Sequence, residues 1–383
     1  MIEITIDNEK IKVESGTLIL QACQKLGIEI PIFCYHEKLS IAGNCRMCLV
    51  EVEGNPKPVA SCSVPCTEGM KIKTTTNMVK KARNGVMEFL LINHPLDCPI
   101  CDQGGECDLQ DIAMGYGKDK SRFAYNKRAV KEKNFGPLIK TVMTRCIHCT
   151  RCIRFATEIA GTPELGAIGM GEDMEVTSYL DKTLSSELSG NMIDLCPVGA
   201  LTSKPFSLTI RPWELNKTES IDVSDAVCSS IRLDTRNNEV MRVLPIVNEE
   251  INEEWISDKT RFSYDGLKFN RIDKPFIKKK KNVLEECTWG EALDFIEKNI
   301  KKIEGKKMAA VIGNQVDCES IVLLKDLFNM LGSDNFLCSQ NNACYKSIPR
   351  IAYTFNSGIS GIEDSDFCLL IGTNPRKEAA ILN

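Results

Sequence analysis

The 383-residue sequence has no long apolar run, little aromatic content and only three histidines. Because no stretch of about 18 apolar residues occurs, we expect no membrane-spanning helix. The formal net charge of −4 gives no reason to expect nucleic-acid binding. Neither a secretion signal nor an Arg-rich presequence precedes the alternating segment Met1–Ile6, and no G-x-G-x-x-G motif opens a helix. We therefore expect no flavin or dinucleotide site in this chain.

Cysteine, by contrast, is abundant. The chain has nineteen cysteines, and in a reducing compartment such a number favours metal ligation over disulfides. Eleven of them, together with His94, fall into three groups at ligand spacing. The scattered ones are interpreted as buried structural thiols: Cys23, Cys287, Cys318, Cys338, Cys344 and Cys368.

The tightest group, which we call the second set, consists of His94, Cys98, Cys101 and Cys107. Its members are separated by three, two and five residues. Four soft ligands so close in the chain are able to converge on one metal centre, and two glycines before Cys107 allow the backbone to fold tightly around it. We predict that all four bind metal. A neutral imidazole in place of a thiolate would change the net charge of the centre and hence its reduction potential.

The first set precedes it and consists of Cys34, Cys45, Cys48 and Cys62, with the spacing C-x10-C-x2-C-x13-C. The sequence predicts a hairpin over residues 2–13, a helix over 17–25, and strands over 47–52 and 70–74. A β-grasp ferredoxin begins with this strand–strand–helix order. We predict a [2Fe–2S] cluster, with backbone N–H groups of the 41–48 loop directed at its sulfurs. A structural zinc ion would use the same thiols. Cys66 lies outside the pattern and is interpreted as a non-ligand.

The third set is Cys146, Cys149, Cys152 and Cys196. The run C-x2-C-x2-C is three-quarters of the bacterial ferredoxin signature, and its fourth ligand arrives late, in a Cys-Pro pair before a turn of small residues. We predict one [4Fe–4S] cluster here. His148 is interpreted as exposed or as a neighbour of the ligands. Three arginines are expected to offset the negative charge of the cluster: Arg145, Arg151 and Arg154.

The sequence pattern predicts an α+β region that contains the three sets, followed by an α/β region. Residues 77–91 predict an amphipathic helix that delivers His94, with its apolar face formed by Val79, Ala82, Val86, Phe89 and Leu90. The basic segment 118–133 is interpreted as a solvated connecting loop in preference to a docking patch. Short strands are expected over 220–245 with a turn at 237–238, a linker over 274–281, helices over 289–303 and 320–331, and strands over 308–312 and 367–371. A Gly-Thr-Asn loop follows the last strand, which is a weak nucleotide-binding signal.

The order of these sites closely resembles the large iron–sulfur subunit of respiratory complex I, NADH:quinone oxidoreductase. Three runs are typical of that family rather than of a generic ferredoxin: Ile41–Cys48, Asn93–Asp102 and Glu253–Phe262. The resemblance implies a β-grasp [2Fe–2S] domain over 1–78, a [4Fe–4S] segment with one histidine and three cysteine ligands over 79–118 and a [4Fe–4S] domain over 119–212. A small β domain without a cluster (213–272) and the start of a molybdopterin-oxidoreductase-like α/β domain (273–383) would follow.

The same resemblance implies electron transfer without bond chemistry. Electrons from NADH, oxidised at a flavin in a partner subunit, would pass through one [2Fe–2S] and two [4Fe–4S] clusters toward quinone. The expected partners are the flavin-bearing subunit and the subunits leading to quinone, with no nucleic acid, no direct membrane span and no catalytic residue in this chain. The implied location is the peripheral arm of complex I, on the mitochondrial matrix side or the bacterial cytoplasmic side.

Some members of the family carry a further cubane, spaced C-x2-C-x3-C-x27-C. Aligned on Ser257, those positions are Asp222, Asp225, Ser229 and Ser257, and Cys228 is one residue out of register. We therefore expect no fourth cluster and no molybdopterin. The alternatives left open are the cluster-bearing subunit of an NAD-linked formate dehydrogenase or of a hydrogenase, and a zinc scaffold without redox function.

Overall fold

The computed structural model describes residues 1–278, 283–313, 315–337 and 348–383. The strands in this part of the chain are β1 (Ile2–Ile6), β2 (Glu9–Val13), β3 (Leu49–Val52), β4 (Val59–Ala60), β5 (Lys71–Lys73), β6 (Ile139–Thr141), β7 (Leu165–Ile168), β8 (Glu175–Ser178), β9 (Leu201–Ser203), β10 (Asn216–Ile221), β11 (Ser230–Arg236), β12 (Glu239–Pro245), β13 (Phe276–Lys278), β14 (Leu284–Glu286), β15 (Ala310–Val311) and β16 (Phe336–Leu337). The α-helices are α1 (Ile19–Lys25), α2 (Asn77–Ile92), α3 (Asp108–Tyr116), α4 (Arg151–Glu158), α5 (Asn191–Leu195), α6 (Asp258–Phe262), α7 (Trp289–Ile300), α8 (Cys318–Met330) and α9 (Pro375–Glu378).

The N-terminal unit is a five-stranded mixed sheet with the strand order β2-β1-β5-β3-β4. The predicted hairpin is confirmed: β1 and β2 pair antiparallel, and Asp7 and Asn8 turn with φ angles of 45° and 77°. Short polar side chains tolerate this left-handed conformation. β1 also pairs parallel with β5, and β3 pairs antiparallel with β5. Helix α1 covers the sheet, and the alternation of β1 buries Ile4 and Ile6 completely beneath it.

Helix α2 has the predicted extent, but its predicted apolar face is partly wrong. The residues it buries are Val79, Arg83 and Met87, whereas Phe89 is 72% exposed. Arg83 is buried because its Nε donates a hydrogen bond to the carbonyl oxygen of Leu49, 3.0 Å away in β3. The contact face is therefore centred on the long polar side chain that reaches the sheet, which hydrophobic periodicity does not register.

The basic segment 118–133 contains no helix or strand, but its charged side chains are not simply solvated. Arg122 forms an ion pair with Glu88 of α2, with an N···O distance of 2.6 Å. Lys127 donates to two carbonyl oxygens at the end of α2, and Lys133 contacts Glu175 of β8 at 2.8 Å. The loop interpretation is right for the backbone, and the cations hold this loop against α2 and β8.

A second unit gathers the short sheets β6–β9 and β7–β8 around α4 and α5. Its core includes Phe155, which is fully buried and whose ring centroid lies 5.0 Å from that of Trp255. The predicted strands over 220–245 are confirmed as the antiparallel sheet β10-β11-β12, with Asn237 and Asn238 in the turn. Ser257 caps α6 by accepting from the N–H of Thr260 at 3.0 Å. These units position the candidate ligands.

The C-terminal region matches its prediction less well. Helices α7 and α8 form near the predicted positions, and Thr288 and Glu291 make a reciprocal capping box on α7. The predicted strand 308–312 shortens to β15, which pairs parallel with β16. The prediction of a strand over residues 367–371 is wrong: they are exposed, adopt no regular secondary structure, and pair with no described strand. An apolar run needs a neighbouring strand to become part of a sheet.

The predicted linker over 274–281 is also partly wrong, because β13 pairs with β14 in a hairpin that begins inside it. Residues 279–281 of that linker, and the predicted structural thiols Cys338 and Cys344, lie outside the described residues. The predicted burial of Cys318 and Cys368 is wrong, since both side chains are exposed. Within the described residues, no helix has both the length and the apolar character needed to cross a membrane.

Candidate metal centres

The second set converges on one cavity. His94, Cys98, Cys101 and Cys107 all line a space of about 250 Å³. His94 lies just beyond the end of α2, Cys98 opens a short 3-10 turn, and Cys107 is the N-cap of α3. The chain wraps from one helix to the next around the cavity, as the spacing predicts.

The state of His94 suits a metal ligand. Its Nδ1 is buried and has no hydrogen-bond partner among the described residues. Burial and the positive charge of Arg145 lower the pKa of His94 to about 4, so the ring is neutral near pH 7. Neutral imidazole is the form that binds metals, and a buried polar atom without a partner needs an explanation that a bound metal would supply.

Two close contacts join the second set to the loop that carries Cys196. Gly199 packs directly on Cys101, since a Cβ at this glycine would lie 2.2 Å from the Cys101 Sγ. The Sγ of Cys107 lies 3.7 Å from the carbonyl oxygen of Pro197. Any side chain at position 199 would displace a candidate ligand, so glycine is required there for steric reasons.

The third set also surrounds a single space. Cys146, Cys149, Cys152 and Cys196 line one small cavity together. Burial raises the pKa of Cys146 and Cys149 to about 11 and that of Cys196 to about 12, and raises the pKa of Cys152 well above its ordinary value. With raised pKa values, the four thiols stay protonated near pH 7 in the metal-free chain. A bound metal supplies the positive charge that deprotonates them, so these residues fit a metal centre.

The backbone around the cysteines is locally strained. His148 and Thr150, which flank Cys149, have φ angles of 54° and 61°, and Arg46, which follows Cys45, has 61°. Non-glycine residues adopt this left-handed region rarely and mostly at functional sites. The conformation turns the N–H of His148 toward the Sγ of Cys146, at 3.4 Å. Such N–H groups stabilise a thiolate or a cluster sulfur.

In the first set, the four thiols contact one another. The N–H of Cys34 donates to the Sγ of Cys45 at 3.4 Å. The donor lies outside the 41–48 loop, so the predicted role of that loop's N–H groups stays a prediction. Hydrogen bonds from Cys45 and Cys62 lower the pKa of Cys34, and one from Cys62 lowers the pKa of Cys48 to about 6. The same contacts raise the pKa values of Cys45 and Cys62. Cys66 is buried in the adjacent core and takes no part in these hydrogen bonds.

No group of three or more His, Cys, Asp or Glu side chains in the described part of the chain could hold one metal ion. A tetrahedral zinc site has Zn–S distances of about 2.3 Å, which places its sulfurs roughly 3.8 Å apart. A polynuclear cluster needs a larger space than a single ion does, and the second set lines a cavity of about 250 Å³.

The arginines near the third set do more than add positive charge. Arg154 donates through Nη2 to the carbonyl oxygens of Cys34 and Cys149, at 2.5 and 3.1 Å. Arg151 donates to the carbonyl oxygen of Tyr35 at 2.7 Å. These hydrogen bonds hold the first and third sets together. The sequence predicts the charges but not the carbonyl partners Cys34 and Tyr35, which lie more than a hundred residues away.

The positions aligned with a further cubane are engaged with one another or with a helix. The hydroxyl of Ser229 hydrogen-bonds the carboxylate of Asp225, and the N–H of Asp222 donates to the Ser229 carbonyl oxygen at 2.9 Å. Ser257 is the cap of α6. Cys228 is exposed nearby.

Models of known protein families match successive regions of the chain. Five family models match along the chain, and their descriptions are 2Fe-2S iron-sulfur cluster binding domain (1–77), NADH-ubiquinone oxidoreductase-G iron-sulfur binding region (83–122), NADH-quinone oxidoreductase subunit 3 ferredoxin-like domain (136–202), NADH-ubiquinone oxidoreductase NDSU1/NuoG-like 4Fe-4S domain (215–265) and Molybdopterin oxidoreductase (271–383). The order of the predicted cluster and molybdopterin-oxidoreductase domains is thereby confirmed.

Curated relatives match along all of this chain. The NADH-ubiquinone oxidoreductase 75 kDa subunit of Reclinomonas americana is 57% identical, and the G subunit of the NADH-quinone oxidoreductase of Rickettsia felis is 60% identical. The mitochondrial NADH dehydrogenase [ubiquinone] iron-sulfur protein 1 of Solanum tuberosum is 56% identical. The match covers 100% of this chain in each instance, but the chain spans only 57%, 57% and 52% of those relatives.

A solved structure, an NAD+-reducing [NiFe]-hydrogenase in the H2-reduced state, is similar with a TM-score of 0.50 and 27% identity, over 55% of this chain and 90% of that one. Its likeness covers about half of the chain, whereas the complex I relatives match throughout and at twice the identity. The chain therefore belongs to the family of the NADH-quinone oxidoreductase G subunit and the 75 kDa subunit, the large iron–sulfur subunits of complex I.

Proposed function

We propose that this chain carries electrons through three iron–sulfur clusters within a respiratory NADH:quinone oxidoreductase. The observation that carries the proposal is that three four-residue donor sets are each brought together, and that the third set touches the other two. Arg154 links it to the first set, and the contact of Pro197 with Cys107 links it to the second. Because electron transfer weakens steeply with distance, loops in contact favour a continuous route.

The ligands follow from the three sets. Cys34, Cys45, Cys48 and Cys62 would hold a [2Fe–2S] cluster within a β-grasp domain of residues 1–78, and the mixed sheet covered by α1 supports that fold. The second and third sets would each hold a [4Fe–4S] cluster, in segments 79–118 and 119–212. When bound, these groups accept and pass on single electrons. The chain itself fixes their positions, aims backbone N–H groups at sulfur and excludes water.

The remaining regions would act as a scaffold. We propose a small β domain without a cluster over 213–272, because Asp222, Asp225, Ser229 and Ser257 occupy the aligned positions and are hydrogen-bonded to neighbours or to a helix end. Residues 273–383 would form part of a molybdopterin-oxidoreductase-like α/β domain that binds no molybdopterin. Without cysteines at those four positions, electrons from a metal in that domain would have no obvious route to the third set.

The partners are proposed from the names of the relatives. An NADH-oxidising flavoprotein would supply electrons, and subunits leading to quinone would receive them. The chain would lie in the peripheral arm of complex I, on the matrix side of the mitochondrial inner membrane or the cytoplasmic side of a bacterial one. A role in an NAD-linked hydrogenase or formate dehydrogenase is disfavoured, because the relatives that match along all of this chain are NADH dehydrogenase subunits.

A reduction experiment tests the function. The purified, cluster-loaded chain is mixed anaerobically with NADH, with and without the flavoprotein subunit of the same complex, and its visible spectrum and EPR signals are followed. We expect reduction only when the flavoprotein is present, because this chain has no G-x-G-x-x-G nucleotide motif. Direct reduction by NADH alone, or reduction by formate alone, would contradict the proposal.

A further inference from the structure

The ion pair between Arg145 and Asp97 occupies an unusual place. Arg145 directly precedes Cys146 of the third set in the chain, yet its side chain lines the cavity of the second set. Its Nε lies 3.0 Å from Oδ2 of Asp97, the residue before Cys98. Its Nη1 donates to the Gly199 carbonyl oxygen at 3.4 Å. One guanidinium thus contacts loops belonging to both sets.

The pair is electrostatically prominent. Among the described residues that line the second-set cavity, Arg145 and Asp97 carry the only fixed charges. The side chain of Arg145 is 5% exposed and that of Asp97 is 29% exposed. A buried charge is poorly screened, so it interacts strongly with any change of charge beside it. The cation also lies close enough to His94 to disfavour protonation of that ring.

We propose that the charges of Arg145 and Asp97 set the reduction potential of the cluster held by the second set. Arg145 raises that potential and Asp97 lowers it. The inference rests on the proposed function, namely on a cluster at His94, Cys98, Cys101 and Cys107. Reduction adds one electron and no bond forms or breaks, so the cluster becomes more negative by one charge. A buried cation stabilises that reduced form and a carboxylate destabilises it. Together the two residues should raise the reduction potential, because Arg145 is the more deeply buried partner.

The same loop offers a matched control. Arg211 donates to the carbonyl oxygen of Cys101 at 2.6 Å and also contacts the carbonyl oxygen of Pro99, but it does not line the cavity and is partly exposed. Arg211 and Arg145 therefore both donate to backbone carbonyl oxygens beside the second-set cavity, and Arg145 also pairs with the Asp97 carboxylate. Because solvent screens Arg211, its charge should affect the cluster less.

The test is a redox titration of the full, cluster-loaded protein, with electrons supplied by dithionite through dissolved mediators and each cluster followed by its EPR signal. We expect Arg145→Met to lower the reduced-to-oxidised ratio of the second-set cluster about tenfold at a fixed potential, which corresponds to about 59 mV for one electron. Asp97→Asn should raise that ratio. In Arg145→Lys the ratio should stay near the wild-type value, and in Arg211→Met it should change less than in Arg145→Met. The reduced-to-oxidised ratio of the third-set cluster should change less in Arg145→Met than that of the second-set cluster.

Opposite shifts from the two partners are the decisive result, because a merely structural role would damage the cluster in both variants. Shifts of the same sign, or no shift in Arg145→Met and Asp97→Asn, would overturn the inference. If Arg145→Met loses its cluster, Asp97→Asn and the double variant Arg145→Lys with Asp97→Asn still decide by the sign of their shifts. Absence of any cluster at the second set in the wild-type protein would instead refute the proposed function, so the two failures are distinguishable.

Discussion

Two regions of the chain differ in how their cysteines and aromatic residues are placed: the cysteine-bearing region, residues 1–262, and the C-terminal region, residues 271–383. In the first, six of the twelve candidate ligands are buried, Cys98 is exposed and the others are partly buried, and each set surrounds one space or makes mutual hydrogen bonds. In the second, Cys318 and Cys368 are exposed and far apart in the chain. Apolar residues differ similarly, since Phe155 is fully buried whereas Trp289 is 68% exposed. Convergence on a shared site, rather than cysteine content or burial, distinguishes the candidate ligands from the other cysteines, because Cys23 and Cys66 are buried as well.

The two regions also differ in how polar groups are used. In the cysteine-bearing region, the buried Arg151 and the partly buried Arg154 donate to backbone carbonyl oxygens of or beside the ligand loops. In the C-terminal region, the polar contacts are mainly local, such as the capping box of Thr288 and Glu291. Long-range hydrogen bonds fix the loops of the first region relative to one another, which is what closely spaced redox centres require.

The largest expected difference between the regions is in metal content. Cys196→Ser should remove one cubane and about four irons per chain, because the third set loses a ligand. Cys318→Ser, the control, should retain all iron. Iron analysis of anaerobic preparations, with EPR to identify the missing signal, measures both. Full iron content in Cys196→Ser would mean that this residue is not a ligand.

A packing substitution should separate the regions by a smaller amount. Phe155→Ala removes a fully buried ring that packs on Trp255 and should cost about 3–5 kcal/mol of unfolding free energy. Leu323→Ala on the exposed face of α8 should change it by no more than about 0.5 kcal/mol. Urea unfolding followed by tryptophan fluorescence gives the two values. Similar costs at the two sites would show that the C-terminal region is packed as tightly as the first.

The smallest effect concerns a contact that joins the two regions. Arg376 of α9 forms an ion pair with Glu187, at 2.6 Å, and this hydrogen bond lowers the pKa of Glu187. A lowered carboxyl pKa stabilises the folded state above the pKa of the unfolded chain, about 4.3, and that contribution is lost as the pH falls through the lower folded value.

Arg376→Met should therefore reduce stability slightly at pH 7 and less at about pH 3.5, because the pair is solvent-exposed and only the ionised carboxylate attracts the guanidinium. High salt should also diminish the difference between wild type and variant. Thermal unfolding at two pH values and two salt concentrations tests this. A difference that grows on acidification would show that the ion pair is not its source.

Local patterns are enough to predict much of the cysteine-bearing region. Close spacing forces His94, Cys98, Cys101 and Cys107 together whatever the rest of the fold does, and the Asn237-Asn238 turn encodes its own hairpin. The Cys-Pro pattern predicts Cys196 as a partner of Cys152, although 43 residues separate them. The structure places both on one cavity.

The errors arise where the outcome depends on distant partners. Periodicity predicts Phe89 as part of the buried face of α2, but Arg83 is buried instead because its hydrogen-bond acceptor is supplied by β3. Residues 367–371 have strand composition without a described strand beside them. The contact of Arg145 with Asp97 crosses 48 residues and joins two ligand loops, which spacing within either loop does not reveal. Tertiary partners decide these features, and local periodicity carries no information about them.

Iron and sulfide analysis of an anaerobic preparation, combined with EPR, tests the central claim most directly. Three clusters, one [2Fe–2S] and two [4Fe–4S], require about ten irons and about ten sulfides per chain and three distinguishable reduced signals. We predict that result with no stoichiometric zinc. Stoichiometric zinc, or iron sufficient for only one cluster in a fully reconstituted chain, would contradict the account of three donor sets that conduct electrons in series.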